Sequence, residues 1–183
     1  MTEKDMIEIL IEQGWICEKD EVGDYFCVAE VGGVEVQIIP SVKKRLDHFR
    51  VSLMPSVSTK KFSEAVAFVR GEENRYSPII VSNEPPEKPV KLSSSDVAVM
   101  SKRVISWACS QDIESGLSFY KQLPTDSKGI LPLKHLAALA LSGDFETLNR
   151  YSKSFEAGDR LGFVPYITEG MIHRAVLKAK SET

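Results

Sequence analysis

The sequence predicts an α+β protein in which an N-terminal antiparallel sheet flanked by helices precedes a C-terminal antiparallel helical bundle. Three observations lead there. Apolar residues alternate with polar ones from Tyr25 to Val31 and again from Val34 to Ile38, a strand period broken by Gly32-Gly33. Before residue 14, and again through most of the chain after Ser94, apolar residues recur at helical spacing instead. Between these regions lies EPPEKPVKLSS, whose three prolines suit neither a helix interior nor a central strand. The expected division is therefore an α+β part at 1–83 with order α-β-β-β-α-β, a proline-rich linker at 84–94 and a helical part at 95–183.

Each element has its own signal. Met6, Ile7, Leu10 and Ile11 form a helical stripe, with Thr2 as cap and Gly14 as stop. If Gly32-Gly33 is the loop of a tight hairpin, Val31 faces Val34, Ala29 faces Val36 and Cys27 faces Ile38, giving one continuous apolar face. His48 to Met54 predicts a third strand, with Lys43, Lys44 and Arg45 in the intervening loop. Phe62, Ala65, Val66 and Val69 predict a helix lying across the sheet, capped by Ser58 or Thr59 and ended by Gly71. Ser77 to Asn83 is a fourth strand, placed at an edge by Pro78.

In the second half, Val97, Met100, Val104, Trp107 and Ala108 form the first stripe, with a break near Gly116. Further stripes run through Leu133, Leu136, Ala137 and Ala140, then through Phe145, Leu148, Tyr151 and Phe155. The last comprises Ile167, Met171, Ile172, Ala175 and Val176. Short loops make such helices antiparallel neighbours.

Composition restricts function. With 23 Lys and Arg against 26 Asp and Glu, the net charge of −3 argues against nucleic acid as a partner. The opening MTEKDMIEIL carries acids among its apolar positions, unlike an export signal, and no apolar run approaches the ~20 residues of a membrane span. A cytoplasmic protein with no membrane partner is expected. Cys17, Cys27 and Cys109 show no CxxC spacing and read as reduced packing residues, the rival reading being a Cys17–Cys27 crosslink between adjacent strands.

No catalytic motif emerges. His48, His135 and His173 are far apart in sequence; the Glu169/His173 spacing suits a polar pair on one helical face, and His135 lies in an apolar helix. Ser93-Ser94-Ser95 reads as a helix cap rather than a nucleophile. The expectation is no enzyme, no catalytic residue, no cofactor and no metal. Charge is more informative: residues 1–35 hold ten acids and two bases, Lys4 and Lys19. Trp15 and Tyr25 lie within this acidic stretch and suggest aromatic anchors, with core burial of Trp15 beneath the first helix as the equal alternative. The expected partner-binding set is Trp15, Glu18, Asp20, Glu21, Asp24, Tyr25, Glu30 and Glu35, facing a basic protein surface.

Over residues 1–82 the order α-β-β-β-α, with small size and acidic charge, resembles the secretion chaperones. That likeness implies a protein that holds an effector polypeptide. The overall format, acidic and poor in motifs, more closely resembles the immunity member of a bacterial toxin and immunity pair, which implies occlusion of a toxin's active site. A hydrolase-type enzyme is the remaining alternative.

Overall fold

A computed structural model describes residues 1–73 and 75–182, and it has the expected α+β composition. Among the described residues, seven helices and seven strands follow in the order α1 (Glu3–Glu12), β1 (Ile16–Lys19), β2 (Tyr25–Val31), β3 (Val34–Ile38), β4 (Ser41–Lys44), β5 (Phe49–Ser52), β6 (Ser56–Ser58), α2 (Lys60–Arg70), β7 (Ile80–Val81), α3 (Ser94–Cys109), α4 (Ile113–Lys121), α5 (Leu131–Leu141), α6 (Phe145–Glu156) and α7 (Glu169–Glu182). They form two compact units, each discontinuous in sequence. The first contains Met1–Ser58 and Ile80–Gln111, the second Thr59–Ile79 and the chain from Asp112 onward.

In the first unit, β1-β2-β3-β6-β7 form an antiparallel sheet. The hairpin register is the one the glycine pair implies, with Val31 opposite Val34, Ala29 opposite Val36 and Cys27 opposite Ile38. Gly32 and Gly33 have φ of 60° and 81°, which a two-residue hairpin loop demands and glycine supplies at little steric cost. Cys27, Val36, Ile38 and Val57 are fully buried, and α3 packs against β2 and β3. Helix α1 lies against α3. Its capping box joins the Thr2 hydroxyl to the Asp5 amide and the Asp5 carboxylate to the Thr2 amide.

The second unit is all helical apart from its loops. Helix α5 is its centre: every residue from Pro132 to Ala140 is buried, with α2, α4, α6 and α7 packed around it. A helix apolar on nearly all sides belongs in such a position.

Several expectations need correction. Helix α2, expected across the sheet, packs instead against α5 and α7, with Phe62, Ala65 and Val69 buried and the Phe62 ring stacked on Tyr120 of α4. Helix α3 does not join the bundle, since its buried stripe of Val97, Met100, Val104 and Ala108 serves the sheet unit. The compact units thus exchange elements around residues 84–94 instead of dividing there. The third strand, β5, pairs not with the main sheet but with β4 in a separate two-stranded ribbon, and Lys43 and Lys44 are in β4, not in a loop. The break after α3 falls at Ser110–Asp112, and Gly116 lies inside α4. Finally, Cys17 and Cys27, directly paired across β1 and β2, form a disulfide with Cα atoms 4.0 Å apart, while Cys109 is free and exposed.

Candidate docking surface

The acidic residues of the first unit lie on α1 and on two hairpins: Asp20, Glu21 and Asp24 at the β1–β2 tip, and Glu30 and Glu35 beside the β2–β3 loop at the opposite end of β2. The tip of the β1–β2 hairpin is organised by Asp20. Its carboxylate accepts from the Val22 amide at 3.0 Å and the Asp24 amide at 2.9 Å, while its own amide donates to the Asp24 carbonyl at 2.9 Å. This Asx-type turn fixes the loop by replacing backbone bonds with side-chain ones. Gly23, at φ 93°, completes the reversal. Val22 is consequently held out at 81% exposure between Glu21 and Asp24, both of them exposed.

On the strands, Glu18 is exposed and Glu30 lies directly opposite Glu35. Like charges facing each other across a ladder cost stability. Tyr25 is half-buried, with the Lys19 ammonium 4.7 Å from its ring centre. Strand β1 forms one edge of the sheet, and its Ile16 is 64% exposed. Glu3, Asp5, Glu8 and Glu12 of α1 are exposed as well. Hydrogen bonds from the Thr2 amide and hydroxyl hold the Asp5 carboxyl below the usual carboxylate range.

Trp15 departs from the expected set. It is buried at 3% exposure, and its indole Nε1 donates to Ser101 Oγ at 2.8 Å. An aromatic ring following α1 and preceding an edge strand is drawn into the core, and the buried indole N–H finds a hydroxyl on α3. Glu18, Asp20, Glu21, Asp24, Tyr25, Glu30 and Glu35 retain at least partial exposure.

The histidines do not converge. His135 is 2% exposed, with Nδ1 2.9 Å from the Tyr120 carbonyl and Nε2 3.2 Å from the Tyr151 hydroxyl. Burial lowers its pKa, outweighing the Tyr120 carbonyl bond. Beside it, Lys134 donates to the Pro78 carbonyl and to Tyr120 Oη, and burial brings its pKa down to about 8. These groups satisfy one another inside the helical unit. His48 lies in the β4–β5 ribbon turn, 2.6 Å from the Asp47 carboxylate. His173 is exposed on α7. Among the described residues, no group of three or more His, Cys, Asp and Glu is placed to hold a metal ion.

Sequence reading missed two features. The first is the buried Lys134, whose charge gave no sign that its stem and ammonium would be enclosed. The second is the strand pairing that sets Lys43 opposite Arg50: the sequence shows the cluster Lys43, Lys44, Arg45 and Arg50 around Asp47, but not that β4 and β5 align it on one face.

The first unit is thus an α+β scaffold that presents a structured acidic hairpin tip. Residues 2–180 match the family described as "Family of unknown function (DUF6990)", and the chain belongs to that family. No curated protein and no solved structure matches it.

Proposed function

We propose that the protein is a non-catalytic binding protein, an immunity protein that neutralises a bacterial toxin by covering its active site. One observation carries this reading: the Asp20-organised hairpin tip, which holds an exposed Val22 among carboxylates. A loop tied down before binding loses little entropy on binding, and an apolar contact ringed by charge combines burial with steering. The basic cleft of an enzyme acting on nucleic acid is the natural complement. Among the described residues, no helix is long and apolar enough to cross a membrane.

The test is affinity capture from the native host, followed by assay of the captured protein. The reading expects a folded basic enzyme whose activity falls to background at equimolar protein. Changing Asp20, Glu21 and Asp24 together to Lys is expected to slow association by about tenfold or more and to flatten its salt dependence. Unaltered association kinetics would remove this surface. Capture of an unfolded export substrate would replace the immunity reading with the chaperone one, and turnover by the protein itself would replace both with an enzyme.

A further inference from the structure

The β4–β5 ribbon pairs Lys43 with Arg50 and Ser41 with Ser52. Since side chains alternate between faces, Ser41, Lys43, Arg50 and Ser52 share one face, and Arg45 follows in the turn. These five, together with Met54 and Pro86, line a groove that contains no acidic residue. Lys43, Arg45 and Arg50 are all exposed, and among the described residues none of the three is ion-paired. The nearest carboxylate in sequence, Asp47, is engaged by His48. Two cations directly opposite each other destabilise a ladder, so the arrangement calls for an anion.

A second groove continues from the first, sharing Ser52 and Met54 with it. Its lining is mixed: Pro55, Met100, Val104 and Trp107 supply an apolar wall, Glu84 also lines it, and Arg103 and Glu87 pair with each other. Met54, where the grooves meet, is 44% exposed and held at φ 42°, a left-handed conformation uncommon for a residue with a side chain.

We propose that this continuous groove binds a small phosphomonoester bearing an aromatic or aliphatic group. The phosphate sits on Lys43, Arg45 and Arg50, with the Ser41 and Ser52 hydroxyls donating to it, and the apolar group lies against Met54 and Trp107. Guanidinium groups match the oxygen geometry of phosphate, and three cations suit a near-dianion better than a single carboxylate. A compact ligand is favoured over a long polyanion because α1, whose carboxylates are exposed, packs against β4. The inference is independent of the acidic docking surface, which uses other residues.

Phenyl phosphate is the probe for the full-length protein, with inorganic phosphate and phenol as controls. Trp107 fluorescence and calorimetry provide the readouts. Phenyl phosphate is expected to bind about tenfold or more tighter than either control. Lys43→Gln with Arg50→Gln is expected to weaken it about tenfold without lowering the thermal midpoint, since the change relieves a like-charge pair. Trp107→Phe should abolish the fluorescence response while calorimetric binding persists. Binding to phosphatidic-acid vesicles, lost in the same double variant, would identify a lipid headgroup as the source of the phosphate. Absence of phenyl phosphate binding at millimolar concentration, equal binding by the double variant, or tighter binding of a short DNA duplex would overturn the proposal.

Discussion

Lys134 shows how a single side chain ties stability to pH. Its side chain is enclosed at 6% residue exposure, and its folded pKa of about 8 lies below the ordinary lysine value of 10.5. Between those values the unfolded chain binds more protons than the folded one, so stability rises with pH across that window. His135, also lowered by burial, acts in the same sense further down: stability falls as pH drops below its ordinary value of 6.5. Urea unfolding is therefore expected to show a higher free energy near pH ~9.5 than near pH ~7.5, and Lys134→Met is expected to flatten that difference. An unchanged slope in the variant would place the ammonium in water. Trp15 supplies a second test at this scale. Ser101→Ala removes the acceptor of its indole N–H and leaves a buried donor unmatched, an expected loss of about 1–3 kcal/mol in unfolding free energy. If Trp15 were instead a solvent-facing anchor, the substitution would be nearly silent.

At the scale of the element, helix ends are where sequence and tertiary structure meet. Helix α2 stops at Gly71, whose φ of 80° is left-handed, and the Arg174 side chain of α7 covers that end. Arg174 Nε donates to the Val69 carbonyl and Nη2 to the Arg70 carbonyl, each at 2.9 Å. An added Cβ at position 71 would lie 2.9 Å from the guanidinium carbon. Gly71→Ala is therefore expected to lower stability by about 1–2 kcal/mol, from backbone strain and displacement of the guanidinium together. In an Arg174→Met background the same change should cost less, which a double-mutant cycle by thermal unfolding would measure. The glycine stop was legible in the sequence; its long-range partner 103 positions later was not. The same limit explains the strands. The register of β2 and β3 followed from alternation and a glycine pair, which are local. Strand β1 is only four residues, ICEK, and its apolar pattern is too short to register. In β4, the charges of Lys43 and Lys44 imitate a loop, although their backbone pairs with Arg50 and Phe49. Of the acidic surface, the composition was legible because charge is additive along the chain. The burial of Trp15 was legible only as one of two equal alternatives, because its hydrogen-bond acceptor, Ser101, lies on α3.

For the whole molecule, periodicity identifies a helix without saying which apolar surface receives it. The sequence places α2 among the strands and α3 among the helices, yet each packs with the other group. A cut at the proline-rich tract would therefore strip both units. The fragment 95–183 lacks Phe62, Ala65, Val66 and Val69, which cover α5 and α7, and it carries the buried stripe of α3 without its sheet. It is expected to collapse without cooperative unfolding, to bind a hydrophobic dye and to show no near-ultraviolet dichroism. A rearranged chain joining residues 59–79 by a flexible linker to 112–183 restores α2 to α5 and α7, and it should unfold in one sharp thermal transition. Cooperative unfolding of 95–183, with a dispersed amide spectrum, would mean that the helical unit does not need α2 and that the sequence-level boundary is the true folding boundary.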